Sequence, residues 1–358
     1  MRILVAGATG FVGSRLVPRL LAQGHDVVVL TRDRARAAQR PWGGEVRVVE
    51  GEITDARSVT DACFDVEAVV YLVHAMEEAV EDFVASERRA ASTMAQAAAL
   101  AGVEHLVYLG GLADEDADLS PHLRSRVETG RTLADTGTPV TEVRASIVLG
   151  AGSASYELIR FASQAPVPVL LHPSWVTGRC QPIALPDLLD VLVEVLLDGP
   201  RGPHRIIEVG GPETGAYRDL VDVMRGVRGL PPNLMGPVPA PPPVLTGTLV
   251  SQVTPIDPGT VAPLVASLAH DSVVSDRHES RVMPTGVADA LAASLAQQGE
   301  YAAMPGDPDW VGANLDVGLV MDVLQRLPGL PRRLVPAALA PRNLLSTAAD
   351  AAVALRRP

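Results

Sequence analysis

The chain has 358 residues, enough for one large or two modest domains around a buried core, and its 47% hydrophobic and 20% charged residues are a globular balance. With 42 acidic against 30 basic residues the net charge is −12, a field that repels phosphate backbones and argues against a nucleic-acid partner. Two cysteines, Cys63 and Cys180, are too few for a disulfide framework or a cysteine zinc site, and no apolar run approaches the ~20 residues of a membrane-spanning helix.

From Met1 to about Arg144 short β-branched runs alternate with helical stretches. The predicted strands are Ile3–Ala6, Asp26–Leu30, Val46–Val49, Ala68–Leu72, His105–Leu109 and Val140–Val143. Helices are predicted between them, starting near Phe11, Arg34, Ala56, Glu77 and Ser120. Near-continuous apolar strands joined by helical crossovers predict an α/β fold, a doubly wound parallel sheet with helices on both faces. The longest predicted helix, Glu77–Ala101, is Ala-rich, with Glu81, Glu87, Arg88 and Arg89 assigned to its wetter side.

After residue 150 the alternation loosens. A helix is predicted over Ser155–Gln164, then a Pro-rich loop holding His172 and Trp175, then a helix Pro186–Leu197 with Pro at a favourable first-turn position. A strand His204–Val209 ends at the reversal signal Gly210-Gly211-Pro212, and a helix follows over about Tyr217–Gly226. Leu230–Pro243 reads as a linker or an extended polyproline-type bridge, and Asn343–Leu355 as a small-residue helix closed by Arg356 and Arg357. The expected organisation is a dinucleotide-binding domain over 1–150, interleaved substrate-side segments over 151–230, and a bridge with a C-terminal extension over 231–358. Opening directly on a strand, without a leader, the chain is expected in the cytoplasm.

Gly7-Ala8-Thr9-Gly10-Phe11-Val12-Gly13 follows the first strand and opens the first helix. Gly7 permits the sharp turn, Gly10 lets the backbone approach a pyrophosphate, and Gly13 lets the helix lie tightly on the strand. The helix N-terminus, reached through Thr9, Phe11 and Val12, offers free N–H groups and a positive dipole end to the phosphates. The end of the second strand then selects the cofactor. An acid there binds the ribose 2′-hydroxyl of NAD, but this place holds Thr31 and Arg32, which suit the 2′-phosphate of NADP. Asp33 complicates the choice, because a shift of one residue restores an acid.

On these residues the chain resembles the short-chain dehydrogenase/reductase superfamily, in its extended and atypical branches. The resemblance runs through Glu50-Gly51-Glu52-Ile53-Thr54-Asp55, Val70-Tyr71-Leu72-Val73-His74-Ala75, Val107–Leu112 and Arg144–Gly150, and on through Gln181–Asp187 and Glu208–Pro212. It implies that Glu52 and Ile53 lie by the adenine and that Val73 and His74 flank the cofactor. Active members of the superfamily use a Ser, and a Tyr and Lys four apart on a helix. Here the Ser region reads Gly110-Gly111, and His122 and Arg126 hold the Tyr and Lys spacing.

His122 and Arg126 lie one turn apart on one helical face. An imidazole titrates near neutrality and serves as a general acid, and a guanidinium holds a hydroxyl or disfavours protonation of its neighbour. Both are therefore the catalytic candidates. Tyr156 and His74 are weaker ones, and His172, Trp175 and Arg179 are candidates for a substrate pocket in which Arg179 meets an anionic group. His270, Asp271 and His278 lack metal-ligand spacing, and no metal is expected. Two functions stay open: an NADP-dependent oxidoreductase (or epimerase or dehydratase) acting on an apolar small molecule, and a non-catalytic dinucleotide-binding sensor or structural subunit. The oligomeric state stays open, with the helix Glu77–Ala101 and the one beginning near Ser120 matching those through which relatives form a homodimer face.

Overall fold

All six predicted strands of the first half form: β1 (Arg2–Ala6), β2 (Asp26–Thr31), β3 (Arg47–Glu50), β4 (Ala68–Tyr71), β5 (His105–Gly111) and β6 (Val140–Ala145). Between them run α1 (Phe11–Ala22), α2 (Arg34–Ala38), α3 (Ala56–Cys63), α4 (Val80–Ala101) and α5 (Pro121–Ala134). The structure is a computed structural model that describes residues 1–74, 80–164, 169–173, 176–232, 234–238, 246–248, 250–251 and 254–314. Trp175, the side chains of Glu81 and His172, the first turn predicted from Glu77 and the helix predicted over Asn343–Leu355 lie outside the described residues.

Beyond β6 the chain forms β7 (Val148–Leu149), α6 (Ala154–Gln164), β8 (Val169–Pro173), β9 (Arg179–Cys180), β10 (Ile183–Ala184) and α7 (Leu185–Asp198). It continues through β11 (His204–Gly210), β12 (Gly215–Ala216), α8 (Tyr217–Val227), β13 (Leu234–Val238) and β14 (Glu279–Val282). Part of the Pro-rich stretch read as a bridge is thus a strand, with β13 paired in parallel to β8 from Leu234 opposite Val169.

Eight strands form one sheet in the order β14-β11-β6-β5-β4-β1-β2-β3, and every pairing in it is parallel. The strand order reverses between β1 and β4, the place where doubly wound sheets open a ligand crevice at their carboxyl ends. Burial explains the continuous apolar runs. Along β1, Ile3 and Val5 pack with Leu16, Leu20 and Leu188 from α1 and α7. Leu4 and Ala6 point to the opposite face and pack with Val59, Ala91 and Met94 from α3 and α4. With both faces covered, the strand gains nothing from a polar residue, and each such buried aliphatic contributes about 1.5–3 kcal/mol.

The Ala-rich helix α4 uses Ala91, Ala95 and Ala98 to lie close on the sheet. Arg88 and Arg89 are exposed, as predicted, but Glu87 is only 4% exposed and belongs to the buried stripe. The reason is its spacing: it precedes Ala91 and Ala95 by four and eight residues, on the same helical face. Cys63 and Cys180 are buried free thiols, each pushed up to about 12 by burial and therefore unreactive.

A buried ionic clamp ties residues near the C-terminal end of the described chain to the first helix. The Asp307 carboxylate accepts from Arg15 Nη2 and from Arg40 Nη1, both at 2.7 Å. Arg40 also donates to the backbone oxygen of Thr9 at 2.5 Å, so this clamp reaches the glycine turn itself.

Candidate active site

The turn after β1 is built on two glycines that no other residue replaces without displacement. Gly7 has φ +90°, and a Cβ there would lie 2.9 Å from the carbonyl carbon and oxygen of Leu72 at the end of β4. A Cβ on Gly13 would lie 2.4 Å from the Gly7 oxygen. These contacts hold α1 hard against the β1–β4 crevice. Gly10 caps α1, and a Cβ there would meet only the Gly7 oxygen, at 3.2 Å, so its outer side faces away from the protein. The helix has no side-chain cap and no acid in its first turn, which leaves its N–H groups and positive end open to an anion. A dinucleotide pyrophosphate suits that helix end in charge and in approach.

The side chains of Phe11 and Val12 are packing groups. Phe11 lies under the Arg15 guanidinium, 4.9 Å from its ring centre, and Val12 packs on the core. Thr31 ends β2 nearly buried, with its hydroxyl accepting the Asp33 N–H at 3.2 Å. Asp33 is occupied locally: its carboxylate caps α2 by accepting the Arg36 N–H at 3.0 Å. Arg32 is exposed beside them. Past β3, Glu52 is exposed and Ile53 packs on the core together with Val73.

At the carboxyl end of β4, His74 meets the first two turns of α5. Ser120 accepts the Leu123 N–H at 3.3 Å and Pro121 begins the helix, which places His122 in its first turn and Arg126 one turn later. The His74 and His122 rings lie 4.8 Å apart, centre to centre. Behind them stands Glu87, buried although its charge suggests the wetter side of α4. Glu87 Oε1 lies 2.7 Å from His74 Nδ1, and its other oxygen accepts from the Ser125 hydroxyl. Arg126 donates to the backbone oxygens of Leu109 and Val73, joining the ends of β5 and β4, and its guanidinium lies 5.0 Å from the centre of the Tyr108 ring.

The electrostatics of this group are mutually consistent. Burial, then the charge of Arg126, lowers the His74 pKa despite the opposing pull of Glu87. Burial, His74 and Arg126 hold His122 well below the usual histidine range. Burial raises the Glu87 carboxyl, but the His74 hydrogen bond and charge, Arg126 and Ser125 outweigh it and bring it down to about 2. At neutral pH the group is therefore an ionised Glu87 facing two neutral imidazoles, and the carboxylate selects the His74 tautomer protonated at Nδ1.

His74, His122 and Arg126 line a cavity of about 410 Å³ together with apolar side chains such as Leu158, Val221 and Leu264. Arg179 and His270 also line it, whereas Asp271 is turned to the Arg179 backbone N–H at 2.7 Å. Tyr156 is fully buried in a core cluster beside the cavity and is not among its lining residues. Tyr108 donates its hydroxyl to the Arg126 carbonyl at 3.0 Å, so neither tyrosine stands in for the missing one. Among the described residues no three His, Cys, Asp or Glu side chains gather into a metal-ligating group, and no helix is long and apolar enough to cross a membrane.

Fold, glycine turn and crevice together define a Rossmann-type fold whose first turn suits a dinucleotide. Residues 7–148 match the model of a family described as NAD(P)H-binding. Over 143 residues the chain is 36% identical to a (4-alkanoyl-5-oxo-2,5-dihydrofuran-3-yl)methyl phosphate reductase of Streptomyces griseus, covering 40% of this chain and 46% of the relative. It is 28% identical to the photosystem II assembly factor Ycf39 of Synechocystis, over 53% of this chain and 56% of that protein. The chain thus spans about half the length of these curated relatives. Its fold is shared with an NADPH-dependent quinone oxidoreductase of Escherichia coli, at a TM-score of 0.62 and 17% identity, covering 82% of this chain and 99% of that one.

Proposed function

We propose that the protein is an NADP-dependent oxidoreductase acting on an apolar small molecule in the cavity beside the glycine turn. The observation that carries this reading is the Glu87–His74–His122 group at the mouth of the crevice where a nicotinamide would lie. In it, Gly7, Gly10 and Gly13 with the N–H groups of the first turn hold the pyrophosphate. Thr31 and Arg32 take the 2′-phosphate, since Asp33 is committed to capping α2. Glu52 and Ile53 border the adenine, and Val73 and His74 flank the nicotinamide. The bound cofactor supplies a hydride.

The protein's own residues supply the proton. His122 in its protonated form is the acid, and Glu87, acting through His74, stabilises positive charge on the imidazole pair while it is recharged from solvent. Arg126, fixed by two backbone carbonyls, positions the reacting group and keeps His122 acidic. The likeness to a reductase supports reduction as the direction. A second reading, dinucleotide binding without turnover, draws on the absent Tyr and Lys and on the likeness to an assembly factor. Steady-state oxidation of NADPH, followed at 25 °C against a panel of quinones, enones and ketones, separates the two. Turnover with at least one acceptor, lost in His122→Phe, supports the first reading; tight NADPH binding without oxidation by any of them supports the second.

A further inference from the structure

The charge of the cavity is the reverse of the charge of the chain. The sequence has 42 acidic and 30 basic residues, yet among the described residues that line the cavity none is Asp or Glu and three are arginine: Arg126, Arg179 and Arg218. Three carboxylates flank the lining without entering it, and one of them, Asp219, pairs with Arg218. Glu87 binds His74 and Ser125, Asp271 takes the Arg179 backbone N–H, and Asp219 takes the Ala216 N–H at 2.8 Å while standing 3.7 Å from Arg218. Arg126 is held by carbonyl oxygens, and its charge also acts on the buried Glu87 carboxylate.

Arg179 and Arg218 belong together. β9 and β12 are antiparallel, with Arg179 opposite Ala216, and Arg218 follows two residues later at the start of α8. The same cavity is lined by Leu112, Leu123, Leu158, Val221, Leu264 and Leu268. Arg126 is buried, whereas Arg179 and Arg218 are exposed and present their charge at the open edge of a largely apolar cavity. A neutral apolar ligand leaves that charge unanswered, a cation is repelled, and an anionic head gains charge-assisted hydrogen bonds.

We infer that the substrate is an amphiphilic anion: an apolar body along the leucine-lined wall, and a carboxylate or phosphate head set against Arg179 and Arg218. This rests on the reading of the cavity as the substrate site.

Four probes with one ten-carbon chain test it: decanoate, decyl phosphate, decanol and decyltrimethylammonium, each titrated below its micellar concentration by calorimetry, with and without NADPH. Decanoate or decyl phosphate binds at least tenfold more tightly than decanol, and decyltrimethylammonium more weakly than decanol; the order of the two anions identifies the head. In the double variant Arg179→Ala, Arg218→Ala, anion affinity falls to within about threefold of decanol while decanol binding stays. Equal binding of decanol and both anions, no binding of any probe, or a double variant that weakens decanol as much as the anions overturns the proposal. NADPH binding, read separately from nicotinamide fluorescence, is unchanged in that variant. A wild-type protein that binds the anions but not NADPH refutes the cofactor reading alone.

Discussion

His74 Nδ1 lies 2.7 Å from Glu87 Oε1, and the other oxygen of that carboxylate accepts from Ser125 on the neighbouring helix. A carboxylate buried to this degree is costly unless its oxygens are bonded, and both are. Three elements, the end of β4, α4 and α5, are thereby fixed relative to one another at the cavity wall. The same bonds set the tautomer of His74 and hence the electrostatics of His122.

The acid in the proposed reduction is a protonated imidazole whose pKa is lowered, so its population declines above the usual histidine range. With hydride transfer measured under saturating NADPH and acceptor, the logarithm of the rate therefore falls with a slope near −1 between pH 7 and 8. Glu87→Gln removes the charge that stabilises the imidazolium and lowers the rate roughly 10- to 100-fold, with little change in NADPH affinity. A flat pH profile with a Glu87→Gln rate within twofold of wild type contradicts the assignment.

Cofactor preference is expected to reside in Arg32. Replacing it with Ala removes a charge-assisted contact to the 2′-phosphate and weakens NADPH binding by about 1.5–3 kcal/mol, more than tenfold, while leaving NADH binding within about twofold. Parallel fluorescence titrations of the two nucleotides check this.

Asp307 is the shared partner of two arginine side chains that are each 1% exposed. Asp307→Ala leaves both cations buried without it, and the expected loss is about 3–5 kcal/mol in urea unfolding. Because Arg40 also holds the Thr9 oxygen, NADPH affinity is expected to fall in the same variant.

Acid sensitivity follows from a histidine outside the site. His105 is 2% exposed and bonded to Thr141 Oγ1 at 2.9 Å, and burial lowers its pKa to about 4. Between pH 6.5 and about 4 the unfolded chain binds a proton there that the folded chain refuses, so stability falls as pH drops through that window. The site's share is about 3 kcal/mol. His105→Asn, which keeps a hydrogen-bonding side chain but does not titrate, flattens the pH dependence of urea unfolding across this range; an unchanged dependence contradicts it.

The sheet was legible because strands buried on both faces, as Ile3–Val5 and Val27–Val29 are, leave continuous apolar runs in the sequence. The glycine turn was legible because Gly7 and Gly13 answer to fixed steric demands. What escaped the sequence were relationships between distant segments. The charge of Glu87 suggests a solvent-facing side chain, although its four-residue spacing to Ala91 and Ala95 marks the buried stripe. The Asp307 clamp joins residues 292 apart and has no local signature. β7, β9, β10 and β12 are two residues each, too short to carry a period. Asp33 leaves the choice between NAD and NADP open in the sequence, and its capping bond to the Arg36 N–H has no signature there beyond a three-residue spacing.

The central claim is that the turn from Gly7 to Gly13 holds the cofactor, and fluorescence titration with NADPH tests it most directly. The account predicts saturable one-to-one binding, tighter than NADH, and at least about tenfold weaker binding in Gly13→Val, whose side chain must displace the Gly7 carbonyl. Absence of NADPH binding, or a folded Gly13→Val protein that binds as tightly as wild type, contradicts it.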